Sequence, residues 1–171
     1  MIARFYTLHE KNCEALLAAA RPEIRWNDTA IFMFKKPIEK QIDHFPNFLS
    51  EYAVEPQEYH YSGYGFCDLD SLLKEKNGWT LFELGNSNLA TKISEARATS
   101  IAVFNSDAAK AALARLNSTP LEESEVREYF QKHHPPEDED PGTEAVLSAF
   151  KVSKTWLAAV GENEIGLLIL E

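Results

Sequence analysis

The stretch TEAVLSAFKVSKTWLAAVGENEIGLLILE, residues 143–171, decides how the fold is read. It divides into a helix, a turn and a strand. Val146, Leu147, Phe150, Leu157 and Val160 fall on one side of a 3.6-residue period, which makes the first part an amphipathic helix. Thr143 is placed to cap its start, with Glu144 favoured near the helix N-terminus. Gly161 follows directly, where a helix can end in a left-handed residue. Ile165-Gly-Leu-Leu-Ile-Leu170 is apolar on both faces and too short for a helix. That is the pattern of a central strand covered on both sides. The stretch speaks to fold and says nothing direct about chemistry.

Outward from this unit, the totals set bounds. A chain of 171 residues is the size of one domain. Such a chain buries roughly 70% of its unfolded surface and needs no disulfide staples. The two cysteines, Cys13 and Cys67, are too few for a disulfide framework and too far apart for a zinc knuckle. Reduced cytosolic thiols are the simplest reading. Met1-Ile-Ala-Arg-Phe-Tyr6 has no signal-peptide apolar core, and no apolar run reaches spanning length. The expectation is a cytoplasmic protein. The net charge of −10 argues against nucleic acid and against anionic lipid as partners. It suits a basic protein partner, whose encounter complementary charge accelerates.

Towards the N-terminus, Met1–Tyr6 reads as a first strand. Thr7 and Glu10 have capping-box spacing before a helix from Leu8 to about Ala20, with Leu16 and Leu17 inward. Trp26 to Thr29 is turn chemistry. Ala30–Phe34 reads as a strand, with a buried helical turn as the other possibility. Ile38, Ile42, Phe45 and Leu49 have a helical period that Pro46 should break or kink. Asp68 can cap a helix from Leu69 to Lys76, closed by Asn77-Gly78. Trp79–Leu84 is ambiguous between strand and helix. Ile101–Phe104 suits a short strand, and Asn105 or Ser106 can cap the Ala-rich helix Asp107–Leu116. Thr119-Pro-Leu-Glu122 starts the next helix, which turns Val126, Tyr129 and Phe130 inward. His133 to Gly142 then reads as an exposed, rigid, acidic connection.

Two segments carry the candidate site. Tyr59, Tyr61 and Tyr64 are interleaved with His60, Ser62, Gly63 and Gly65. Tyrosines beside glycines make adaptable contact surfaces, line small-molecule pockets, or fill core. The other segment runs from Leu121 to Glu144. It holds nine acidic and two basic residues, a balance of −7 that supplies most of the chain's charge. Glu137, Asp138, Glu139 and Asp140 are its densest run. His133 and His134 beside them are metal-friendly by type, but the prolines restrict convergence and no ligand spacing is present. His9 and Cys13, four apart on the expected first helix, lack further ligands or a base. Asp68 and Asp70, two apart at one helix start, lack the facing geometry of an acid/base pair. Gly63-Tyr-Gly65 has no P-loop lysine after it. No serine elbow, HExxH or CxxC occurs, so no catalytic residue, cofactor or metal is assigned.

Four places carry a resemblance to the YfbM-like domain family of small bacterial proteins. They are the start through Glu10 into a Leu-rich helix, and Asp68-Leu-Asp70 followed by Trp79–Gly85. The helix pair Asp107–Leu116 and Leu121–Phe130 is the third, and the closing Leu147–Leu170 unit is the fourth. The resemblance implies a single α+β domain, helices packed on a mixed sheet, and supplies no catalytic residues. Domains of this kind also resemble proteins that neutralise bacterial toxins. The expected function is therefore a non-catalytic immunity protein that occludes a basic-surfaced cognate toxin. Tyr59, Tyr61, Tyr64 and Glu137–Asp140 would be its contact residues. The alternative is a small enzyme or small-molecule binder using residues 59–66.

Overall fold

The apolar run at the C-terminal end becomes the strand β6 (Glu164–Leu170), and it lies inside a sheet. On one side it pairs with β1 (Ala3–His9), on the other with β5 (Ser100–Asn105). The two-residue β4 (Ala53–Val54) edges β1, giving the order β4-β1-β6-β5. All three pairings are antiparallel, so the α+β expectation holds while the sheet is antiparallel rather than mixed. The computed structural model describes residues 1–27 and 38–171. The strand expected at Ala30–Phe34 and the turn residues Asp28 and Thr29 lie outside the described residues.

Both faces of the sheet are covered, which is why β6 is apolar from Ile165 to Leu170. Alternate residues send Ala3, Phe5, Ala102, Phe104, Leu168 and Leu170 into one cluster. Leu8, Ile101, Val103, Ile165, Leu167 and Ile169 enter the other. The first cluster packs under α3 (Tyr64–Asn77), α6 (Ser106–Ser118), α7 (Glu123–His133) and α8 (Glu139–Ala158). The second packs under α1 (Cys13–Ala19), α2 (Phe45–Tyr52) and α5 (Asn88–Arg97). Gly166 is required where the first layer meets the sheet, because a Cβ there would lie 2.3 Å from the Phe5 ring.

Several boundaries differ from expectation, each for a local reason. The first helix starts at Cys13 rather than Leu8, because Thr7, Leu8 and His9 are paired within the sheet and a 3-10 turn (Glu10–Asn12) intervenes. His9 and Cys13 therefore do not share a helix face. Ile38–Ile42 is a strand, β3, paired with β2 (Glu23–Asn27), so Trp26 and Asn27 lie in a strand rather than a turn. The helical period misled here because residues four apart also share a strand face. Pro46 sits in the first turn of α2, where its missing N–H costs nothing, so it starts that helix rather than breaking it.

α3 begins at Tyr64, one turn before Asp68, and ends at Asn77, where Gly78 is left-handed at φ 76°. Trp79–Leu84 resolves as the short α4 (Leu81–Leu84), capped reciprocally by Thr80 and Glu83. The helix α5 escaped the sequence reading, although Ser87 caps it by accepting from the Ala90 N–H. Asn105 caps α6. Thr119 ends that helix, donating its hydroxyl to the Arg115 carbonyl at 2.8 Å, and Glu122 in place of Thr119 caps α7.

The largest correction falls on α8. Thr143 does not cap it; the helix starts at Glu139, and Thr143 is buried in its second turn. The expected loop from His133 to Gly142 is the last residue of α7, a 3-10 turn (Pro136–Asp138) and the first turn of α8. Gly142 permits this corner, since a Cβ there would meet the Phe130 ring at 2.2 Å. After α8 the left-handed residue is Asn163 (φ 61°), while Gly161 instead donates its N–H to Glu164.

Candidate functional site

The tyrosine segment and the acidic segment, distant in sequence, meet at one corner of the molecule. Gly65 makes the meeting possible. A Cβ there would lie 2.4 Å from the Tyr59 hydroxyl and 3.0 Å from Ala145, so only glycine lets α3 close on α8 around that hydroxyl. The Tyr59 hydroxyl donates to the Ala145 carbonyl at 2.9 Å. Its ring packs edge-on to Phe66 at 5.0 Å and to Trp156 at 6.4 Å. Burial pushes its hydroxyl pKa upward. Tyr59 is thus a core residue, 6% exposed, and not a contact residue. Tyr61 and Tyr64 are exposed at 41% and 61%.

Between the first turn of α3 and the α7–α8 corner lies a cleft of about 370 Å³. Tyr64 and Asp68 line one wall; His134, Asp138 and Gly142 line the other. His134 Nε2 stands 3.2 Å from Asp68 Oδ1, with side-chain exposures of 29% and 20%. Burial pushes the Asp68 carboxyl up, and His134 partly counters that. The Phe130 ring backs the imidazole at 4.6 Å. Asp68 is therefore a cleft residue, not the helix cap expected of it.

Asp70 points elsewhere. Its two oxygens accept the Leu81 and Phe82 N–H groups at 2.8 and 3.1 Å, so it caps α4 from outside that helix. Burial raises its pKa to about 6 against those two bonds. The two aspartates have separate structural roles and do not face one another as an acid/base pair.

The acidic run also divides. Arg127 reaches Glu123 at 2.9 Å, Glu139 at 3.3 Å and Asp140 at 2.6 Å, tying α7 to the start of α8. Gln131 donates to Glu139 as well. Glu137 and Asp138 are exposed and form no ion pair among the described residues. His133, on the other side of the corner, pairs with Glu75 at 3.2 Å. No three His, Cys, Asp or Glu side chains among the described residues are grouped to hold a metal ion. No described helix is long and apolar enough to cross a membrane.

Of the seven expected contact residues, the fold places Tyr64 and Asp138 in one cleft, with Tyr61 and Glu137 exposed. It commits Tyr59 to the core and Glu139 and Asp140 to Arg127. The Asp68–His134 pair escaped the sequence reading. Only the helix periods hinted at it, by turning Phe130 inward next to His134. The class that fold and site define is an α+β protein with an antiparallel sheet between two helical layers and an acidic, aromatic cleft at one corner. No protein-family model matches the chain, and neither a curated protein nor a solved structure matches it.

Proposed function

We propose that this chain is a protein-binding protein that docks a basic-surfaced partner on the α3–α7–α8 corner. Its most specific form is a cytoplasmic bacterial immunity protein that occludes the active site of a cognate toxin, the function that the YfbM-like resemblance implies. One observation carries the docking reading: Tyr64 and Asp138 line the same cleft. An amphipathic ring beside uncompensated carboxylates supplies contact area and steering together. Glu137 extends the carboxylate rim. The overall charge of −10 acts in the same direction.

The experiment needs a candidate toxin domain from a gene neighbouring this chain's, with association followed by stopped flow at several salt concentrations; a neighbourhood that encodes none would count against the immunity form. Glu137→Lys with Asp138→Lys should slow association about tenfold at low salt and flatten its salt dependence, with dissociation little changed. Tyr64→Ala should speed dissociation. An association rate indifferent to both reversals sinks the docking role. Glu139 and Asp140 are left intact because reversing them would also release Arg127.

A second reading, a small-molecule site or enzyme in the same cleft, is favoured by the Asp68–His134 pair alone. A carboxylate that holds an imidazole is an acid/base arrangement. His134→Ala should abolish any turnover by the folded chain, and turnover that survives it would sink this reading.

A further inference from the structure

A second cleft lies on the opposite face of the sheet. Ile2, Arg4 and Tyr6 alternate on and beside β1, and Ile169 of β6 and Glu171 just after it line the same cleft. Backbone bonds between Ile2 and Glu171 in both directions hold this end of the sheet together. The helix α2 roofs only part of the face with Phe45 and Leu49, leaving a cleft of about 360 Å³. Small-molecule sites run from roughly 300 to 1,000 Å³, so the space suits a small ligand.

The lining has a definite chemistry. Phe45, Pro46, Leu49 and Ile169 form the apolar part of the lining, while Arg4, Glu55 and Glu171 carry charge. The Arg4 guanidinium donates to the Tyr6 hydroxyl at 3.3 Å. No carboxylate among the described residues closes on it as an ion pair, although Glu55 and Glu171 line the same space. The Tyr6 hydrogen bond, followed by the more distant Glu55 and Glu171, holds the guanidinium firmly protonated. An arginine that stays separate from two carboxylates in one cleft leaves room for a ligand bearing both charges.

A simple anion would meet those carboxylates and the net charge of −10. A simple cation would leave Arg4 without a counter-charge. A zwitterion on an apolar body satisfies all three groups, its anionic end on the arginine fork and its ammonium beside the carboxylates. We propose that this cleft binds an α-amino acid with an aliphatic or aromatic side chain. Its carboxylate sits on Arg4 and Tyr6, its ammonium on the Glu55–Glu171 side, and its side chain on Phe45, Leu49 and Ile169. The site is on the other face from the docking corner and does not depend on that reading.

The test is calorimetric titration of the full chain with L-phenylalanine and L-leucine. Phenethylamine, which lacks the carboxylate, and phenylpropionate, which lacks the ammonium, serve as comparators. Saturable one-to-one binding of the amino acids is expected, weakened about tenfold or more by loss of either charge, as for one charge-assisted hydrogen bond. Arg4→Gln should reduce L-phenylalanine to the affinity of phenethylamine. Glu55→Gln with Glu171→Gln should reduce it to that of phenylpropionate. Arg4, Glu55 and Glu171 are exposed, so thermal unfolding reports whether these variants keep the wild-type fold. Absence of saturable binding by either amino acid would overturn the proposal. So would comparators that bind equally well, or an L-phenylalanine affinity unmoved by Arg4→Gln in the folded variant.

Discussion

The two faces of the sheet are closed by different means. Under α3 and α8, Trp156 is stacked between Phe5 and Phe66, at 5.3 and 5.2 Å with interplanar angles of 8° and 6°. Its indole N–H donates to the Gln57 carbonyl at 2.7 Å, so even its polar atom is satisfied. Under α2 and α5 the side chains are smaller and the closing element is polar. Arg97 lies over the Phe45 ring at 4.2 Å and makes two 2.9 Å bonds to Asp43. The roof there stops short of Arg4 and Tyr6. Large flat rings seal a face to its edge, whereas a short helix pinned by an ion pair leaves the margin open. On each face the proposed recognition site therefore lies outside the seal, at a corner or at a margin.

The strongest way to break this contrast is Trp156→Ala. It removes both stacks and the hydrogen bond to the Gln57 carbonyl. Unfolding in urea should show a loss of about 4 kcal/mol, within the range for a buried Trp or Phe truncated to Ala. A loss under about 1 kcal/mol would mean that the rings do not seal this face. Amino-acid binding in the α2 cleft should persist wherever the variant remains folded.

Next in size is a pH effect at Asp70, on the same layer. Its folded pKa of about 6 lies above the ordinary 3.8, so the native state holds this proton more tightly than the unfolded chain. The associated stability is fully present below about pH 4 and is lost as pH rises through about 6. The shift corresponds to roughly 3 kcal/mol across that window. Asp70→Asn cannot ionise, so its urea-derived stability should fall less steeply over the same range. Parallel slopes for the two proteins would show that burial does not control this carboxyl.

Much of this architecture was legible in the sequence. Continuous apolarity in Ile165–Leu170 announced an internal strand; of the expected helix face, Val146 and Leu157 are buried, Leu147 and Phe150 are partly buried, and Val160 is buried just beyond the helix end. Caps with a local mechanism, such as Asn105, were also readable. Three kinds of information were not. Thr7 and Leu8 hold helix-start signals that sheet pairing overrides. Ile38 and Ile42 have a spacing that strand and helix share. The start of α8 depends on Gly142 accepting the Phe130 ring, a contact invisible to any local pattern. The site fared similarly. Residue type marked Tyr64 and Asp138, but only the tertiary fold could remove Tyr59 to the core and assign Glu139 and Asp140 to Arg127. Arg4 passed unnoticed because a single charge in an exposed strand position is unremarkable until its neighbours are known.

The smallest predicted effect sharpens the contrast from the other face. Asp43 accepts two bonds from Arg97 and one from the Phe45 N–H at 3.0 Å. The Arg97 bonds lead in holding its carboxyl below the ordinary range, against some opposing burial. Its sign is therefore opposite to that of Asp70. Asp43 contributes stability above the ordinary carboxylate pKa and loses it as pH falls through its lowered folded value. The Asp43 side chain is 41% exposed, so water screens the pair. Asp43→Asn should cost roughly 0.5–1 kcal/mol at pH 7, the range of an exposed ion pair, and less at pH 3. Combining it with Asp70→Asn should give the sum of the two single effects at each pH, the Asp70→Asn effect including the loss of one of the two oxygens that accept the Leu81 and Phe82 N–H groups. The two sites lie on opposite sides of the sheet, so their effects should add. Urea titrations of both single variants and the double variant at pH 3, 5 and 7 test this. Non-additivity beyond about 0.5 kcal/mol would show that the two layers communicate through the sheet and are not closed independently.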